Sequence, residues 1–359
     1  MPEDRSSVAL NTYLRPIEPW LQEDGVTEIS VNRPGEIWVE RLGVVGMERI
    51  EVAALTSAHL MQLADLVAEF SEQHVTAEHP LLSGTIPGGY RIQVVRPPAT
   101  EPGIVAMSIR RPGILDMCIA DYRERQAFAH VNRPSRHAAD EDALLRLYAE
   151  ERYEEFLVEA VRAQKVIVLS AGTNAGKTTL LNALLKEVPQ TERIITIEDT
   201  REVQLTHPNR LHLLASRGGQ GTAKVTQTEL LAACLRLRPN RIVVGELRGA
   251  ETSDFLDATN TGHGGSITTI HASTPLGAIK RLVKLAQSAK LGFDAEFVLE
   301  EVLAAIDIIV QFERWPTGER MISQIYYAAA PADGQSLLGG KARRHAGIQD
   351  IRRAILGET

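Results

Sequence analysis

The sequence predicts an α/β domain built on a phosphate-binding loop, preceded by a smaller mixed α+β domain. Three observations lead there. From Lys165 onward the apolar runs KVIVLS, RIITIE, RIVVGEL and SITTIHA alternate with helix-length segments, the pattern of a sheet flanked by helices. The first of these runs leads into AGTNAGKTT and then into a helical stretch. Upstream, VTEISVN, EIWVER, YRIQVV and GIVAMSIR are short strand-like runs with a helical segment among them.

In chain order, VTEISVN and EIWVER are joined by Arg33-Pro34-Gly35, a turn in a hairpin context. Leu60, Leu63, Val67 and Phe70 then recur at helical spacing behind Thr56, which suits an N-cap. YRIQVV and GIVAMSIR follow, separated by a proline-rich loop. The polar stretch RPSRHAADEDA (133–143) reads as a linker, and a helical pattern over about 144–163 leads out of it. The expected division is therefore a first domain at 1–135, a linker at 136–151 and a second domain at 152–359. IDIIVQFER and ISQIYYAA read as late antiparallel strands. After the break GQSLLGG, the basic residues Lys341, Arg343, Arg344, Arg352 and Arg353 accompany Ile348, Ile351 and Ile355 at helical spacing. Such a segment lies on an anionic membrane face, docks on a partner or packs on its own domain.

Composition narrows the function classes. The net charge of −7 and the lack of a basic, aromatic-rich stripe argue against direct nucleic-acid binding or unwinding. The two cysteines, Cys118 and Cys234, are too few and too far apart for a zinc knuckle or disulfide framework, so a reducing cytosol fits. The N-terminus MPEDRSSVALNTYL has no signal pattern, and no run approaches the roughly 20 apolar residues that span a bilayer.

Four segments carry chemistry. In the first, Ala171-Gly172-Thr173-Asn174-Ala175-Gly176-Lys177-Thr178 lies between a strand and a helix that opens through Thr179. Small residues let backbone N–H groups wrap a β-phosphate, and the helix N-terminus adds its dipole. Lys177 then reaches the β- and γ-phosphates of ATP, and the Thr178 hydroxyl ligates Mg²⁺. Ala171 stands where the motif usually has its first glycine, and Asn174 accepts left-handed geometry better than most residues. In the second, RIITIEDTREV, a strand ends on Glu198-Asp199 with Glu202 close behind. Carboxylates there are placed to hold Mg²⁺ or to position the attacking water. In the third, RIVVGELRGAE, Gly245 occupies the place of the aspartate that usually ends this strand. Glu246 is then the candidate that orients water, with metal support from Glu198 or Asp199; Arg248 and Glu251 read as structural. In the fourth, TGHGGSITTIHASTP, His263 precedes a strand and His271 ends it. Both a structural role and γ-phosphate sensing or subunit bridging stay open for these histidines.

These four elements, in this order, resemble the secretion-ATPase superfamily: a phosphate loop, an acidic box (TIEDTRE), a Walker B strand lacking its usual Asp (VVGELRGAE) and a histidine box (TGHGGSITTIHAS). The branch that looks most similar is the VirB-type traffic ATPase of type IV secretion systems, because VTEISVNRPGEIWVE, YRIQVVRPP and VAMSIRRP also resemble its N-terminal domain. The resemblance implies a RecA-like C-terminal domain, ATP hydrolysis with Mg²⁺, a homohexameric double ring, and docking on inner-membrane and cytoplasmic components of a secretion channel. It also implies that two N-terminal arginines reach the nucleotide. These match Arg91 and Arg110, with Arg96 and Arg111 as close alternatives. The second domain offers no arginine that the sequence places opposite Lys177. Neighbouring readings are a pilus or type II secretion motor, whose assembly forms often carry a four-cysteine zinc module, and a slow nucleotide-dependent switch.

Overall fold

The computed structural model describes residues 5–112, 118–129, 131, 138–172, 176–216, 221–289, 292–330, 352 and 355. Two sheets organise them. The first holds β1 (Val26–Val31), β2 (Glu36–Arg41), β3 (Met47–Glu51), β4 (Leu81–Ile86), β5 (Tyr90–Val95) and β6 (Ala106–Arg110). Its order is β3-β2-β1-β6-β5-β4, antiparallel throughout. The expected helix is Ser57–Phe70, and the Thr56 hydroxyl caps it by accepting from the His59 N–H. Its Leu60, Leu63 and Val67 bury against Ile29, Val94 and Met107, joined by Leu10 and Leu14 of the helix Arg5–Leu14.

The second sheet holds β7 (Ile167–Ala171), β8 (Ile194–Glu198), β9 (Arg210–Leu214), β10 (Arg241–Val244), β11 (Ile267–His271), β12 (Ile308–Arg314) and β13 (Arg320–Tyr327). Its order is β13-β12-β7-β11-β10-β8-β9; only the β12–β13 pair is antiparallel. Strand residues alternate between two cores. Val168, Ile195, Val244 and Ile309 join one cluster, while Ile167, Leu169, Val243 and Ile308 join another. Helices on both faces complete the three-layer α/β fold that the sequence predicts. The parallel strands deliver their carboxyl ends to one edge, where such folds bind ligands.

Residues 136 and 137 of the expected linker lie outside the described residues. The rest of it is not a free connection: Ala138–Ala149 is a helix, and its Leu144, Leu147 and Tyr148 are buried with the second sheet. In the C-terminal basic segment only Arg352 and Ile355 are described. Arg352 pairs with Glu296 and Glu300, and Ile355 packs on the core of the second sheet. The other residues of that segment lie outside the described ones.

The two sheets are joined by a polar pin inside a shared core. Val95, Ala99 and Ala106 belong to the same buried cluster as Leu211, Leu213 and Leu231. Beside them the Arg193 guanidinium, 1% exposed, donates to Asn32 Oδ1 (2.6 Å), Asn209 Oδ1 (2.7 Å) and the Leu237 carbonyl (2.9 Å). Asn32 Nδ2 also donates to Asn209 Oδ1 at 2.8 Å. Burial without a touching carboxylate pushes the Arg193 pKa down to about 10. At the rim Arg238 grips Glu40 with two hydrogen bonds, 3.1 and 2.7 Å. The first sheet therefore sits on the β9 side of the second.

Candidate nucleotide site

The phosphate loop follows β7. Ala171 is the last residue of that strand, paired with His271 and Phe312 on either side. It is not among the residues with positive φ, so its methyl replaces the usual glycine without strain. Gly172 follows. Thr173, Asn174 and Ala175 lie outside the described residues. Gly176 has φ +100°, a conformation that only glycine adopts easily, and it starts the helix Lys177–Leu185.

A cavity of about 670 Å³ opens over this helix start, lined by Gly176, Lys177, Thr178 and Thr179, by Glu198, Asp199 and Glu202, by Glu246 and Arg248, by His271, and by Arg314 and Arg320. Within it the charged groups form a chain. Lys177 Nζ lies 3.1 Å from His271 Nδ1, and His271 Nε2 lies 3.1 Å from Glu246 Oε1. Arg248 donates to Glu246 Oε2 at 2.8 Å and to Asp199 Oδ2 at 2.9 Å. Gln227 donates to Asp199 Oδ1 at 2.8 Å. Burial holds the Lys177 pKa below the usual lysine value, with Arg248 adding to the shift and Glu246 opposing it. The hydrogen bond to Glu246 raises that of Arg248.

The acidic segment departs from expectation. Glu198 is 3% exposed, and its Oε1 accepts the backbone N–H groups of Glu202 and Val203, both at 2.8 Å. Burial raises its pKa while these hydrogen bonds oppose the rise. Its carboxylate is thus turned to the backbone and fixes the 199–203 turn. The Thr178 hydroxyl instead donates to Glu202 Oε2 at 3.0 Å. The carboxylate beside the expected Mg²⁺ ligand is Glu202, not Glu198 or Asp199. At Gly245, where the usual aspartate is missing, a β-carbon would stand 3.2 Å from Glu198 Cγ and crowd that side chain. The Glu198 side chain fills that space.

The expected arginine pair is elsewhere in the chain. Arg91 and Arg110 are direct partners across β5 and β6. They line a separate cavity of about 290 Å³ with Arg236 and Arg238, and neither lines the phosphate cavity. The first sheet packs on the β9 side, away from the loop after β7, so within one chain these two do not meet Lys177. Contrary to expectation, the second domain supplies its own arginines there: Arg248, Arg314 and Arg320. Arg248, which the sequence left as structural, bridges the two candidate acids.

The histidines separate. His271 joins the site. His263 precedes the amino end of β11, at the opposite edge of the sheet, where it bonds to the Pro239 backbone and burial lowers its pKa. The glycines around it serve packing: a β-carbon on Gly265, at φ +75°, would stand 2.8 Å from the buried Arg241 guanidinium, which is held by Glu192. Arg314 and Arg320 are site residues that sequence reasoning left without a role, and Glu202 stood there only as a neighbour of Glu198-Asp199.

Comparisons with known proteins identify the family. The family described as "Type II/IV secretion system protein" matches residues 131–314. The type IV secretion system protein VirB11 of Bartonella henselae is 37% identical over 351 residues, 94% of this chain and 97% of that protein. The type IV secretion system protein PtlH of Bordetella pertussis is 38% identical over 332 residues, 91% of this chain and 96% of that one. Among solved structures, the VirB11 ATPase from the Brucella suis type IV secretion system superposes with a TM-score of 0.82 at 37% identity, covering 89% of this chain and 97% of that chain. With near-complete coverage of both partners, a shared RecA-like ATPase fold and the phosphate cavity in place, this chain belongs to the VirB11 family of type IV secretion ATPases.

Proposed function

We propose that the chain binds ATP with Mg²⁺ in the cavity at the carboxyl edge of the second sheet, and that its hydrolysis there powers substrate transfer or pilus biogenesis through a type IV secretion channel. The observation that carries the site assignment is the convergence of Lys177, the Thr178–Glu202 pair and Glu246 with His271 in one cavity. Lys177 neutralises the phosphates. Glu246 accepts a hydrogen bond from a water aimed at the γ-phosphorus, with Arg248 and His271 fixing its two carboxylate oxygens. The water oxygen bonds to phosphorus and releases a proton by way of the Glu246 carboxylate as the bridge to the β-phosphate breaks, giving ADP and inorganic phosphate. The Thr178 hydroxyl and Glu202 are hard oxygen groups of the kind that Mg²⁺ uses alongside phosphates and water; bound there, the ion would neutralise charge building on the phosphate oxygens.

In this reading, which membership of the VirB11 family supports, the chain forms a homohexameric ring, cytoplasmic and peripheral to the inner membrane, docked on inner-membrane and cytoplasmic channel components. No described helix is long and apolar enough to cross a membrane. The ATPase domain would start with the helix Ala138–Ala149, whose apolar face belongs to its core.

The test is Lys177→Ala. It is expected to fold, as judged by circular dichroism and ring assembly, and to lose ATP hydrolysis. Normal turnover would refute the site.

A further inference from the structure

The β12–β13 hairpin brings two arginines to the cavity. Arg314 ends β12 and Arg320 begins β13, and they are direct partners in the antiparallel register. Like charges directly opposite destabilise a strand pair. Among the described residues neither side chain has a carboxylate partner. Both line the phosphate cavity. Arg320 also lies on the phosphate loop itself: a β-carbon built on Gly176 would stand 3.3 Å from Arg320 Cδ and 3.4 Å from its Nη1, with Phe312 Cε1 at 3.3 Å. The glycine therefore serves twice, for its positive φ and for the close approach of this side chain.

Sheet order says which part of the nucleotide these arginines meet. β12 borders β7 on one side, while β11, β10 and β8 follow on the other. Glu246, His271, Asp199 and Glu202, the groups suited to the γ-phosphate, the water and the metal, all come from that second flank. Arg314 and Arg320 come from the first. A triphosphate lying across the loop with its γ-end at Glu246 turns its α-phosphate end toward the hairpin.

We infer that Arg314 and Arg320 form a cationic clamp on the α- and β-phosphates. This rests on the nucleotide site proposed above. The clamp grips substrate and product alike, since ADP keeps both phosphates. It contributes to binding of ground state and transition state equally, which affects KM and leaves kcat nearly unchanged. Arginine suits the task because its planar fork engages phosphate oxygens in pairs. An arginine acting on the γ-phosphate would show the opposite pattern.

The experiment compares the full-length Arg314→Ala, Arg320→Ala and Arg320→Lys variants with the parent and with Lys177→Ala. ATP and ADP affinities are measured by titration with each nucleotide, and kcat and KM by phosphate release. Each alanine variant is expected to bind both nucleotides roughly 10- to 100-fold more weakly, the scale of one charge-assisted hydrogen bond, with kcat within a few-fold of the parent. Arg320→Lys is expected to recover part of the affinity. Unchanged affinities would overturn the clamp. So would a collapse of kcat with ADP binding intact, which would assign these residues to the γ-phosphate. If Lys177→Ala is itself fully active, the nucleotide site has failed; if it is inactive while both alanine variants bind normally, only the clamp has failed.

Discussion

His271 Nε2 stands 3.1 Å from Glu246 Oε1, while Nδ1 of the same ring stands 3.1 Å from Lys177 Nζ. One imidazole thus spans the candidate water-orienting acid and the phosphate-binding cation. It is held at the end of β11, whose last residue pairs with the last residue of β7. Any shift of the ring is felt by both partners. His271→Ala is expected to lower kcat by roughly 10²-fold, the scale of misplacing a reacting group by about an ångström. ADP affinity is expected to change little. Comparing the two values separates positioning from loss of fold.

Glu202 and Glu198 are expected to part ways. Glu202 accepts the Thr178 hydroxyl, so Glu202→Gln is expected to raise the Mg²⁺ concentration needed for half-maximal hydrolysis about tenfold. Glu198 accepts two backbone N–H groups in a buried turn. Glu198→Ala leaves those donors unpaired and is expected to cost about 1–3 kcal/mol of stability. Magnesium titrations and chemical denaturation of both variants check the assignment.

Arg91 and Arg110 lie away from their own chain's phosphate cavity. If they meet a nucleotide, as the family resemblance implies, the geometry favours one bound by a neighbouring subunit. Two inactive variants, Lys177→Ala and the double variant Arg91→Ala, Arg110→Ala, are then expected to regain hydrolysis when mixed and reassembled. A mixture as inactive as its components would remove this role.

His212 makes a pH prediction. It is 4% exposed, its Nδ1 lies 2.9 Å from the Thr196 hydroxyl, and burial pushes its pKa down to about 4 from 6.5. Glu198 Oε2, at 3.9 Å, is too far for a hydrogen bond, and the ring is neutral at pH 7. The unfolded chain takes up a proton near pH 6.5 and the folded chain does not until about pH 4. The unfolded state therefore binds more protons in that window, and stability falls as pH falls through it. This residue accounts for roughly 3 kcal/mol of the loss. His212→Asn is expected to flatten the stability profile between those pH values; an unchanged slope would contradict the burial argument.

What the sequence could and could not reveal follows one physical line. The phosphate loop was legible because its chemistry is local: strand, small-residue turn and helix start are contiguous from β7 to Lys177. Glu246 and His271 were legible because each ends an apolar run, and a strand end fixes which edge a side chain joins. Glu202 was obscured because its place depends on a turn that Glu198 folds through backbone hydrogen bonds. Arg314 and Arg320 were invisible because their meeting with Gly176 depends on β12 pairing with β7, a contact between segments far apart in the chain. His263 stayed open in the sequence because its setting depends on distant packing, in which Gly265 makes room for the buried Arg241. β3, β4 and β9 were missed; β3 is a polar edge strand whose residues are all at least partly exposed, with too little apolar pattern to register.

The proposed role of Glu246, orienting the attacking water in a cavity whose phosphate contacts lie elsewhere, is checked by parallel measurement of ATP affinity and single-turnover hydrolysis for Glu246→Gln. ATP binding is expected within a few-fold of the parent, with hydrolysis slower by roughly 10²-fold or more, the scale for loss of a positioned base. Near-normal hydrolysis by Glu246→Gln, with Asp199→Asn or Glu198→Gln the slower enzyme, would contradict it.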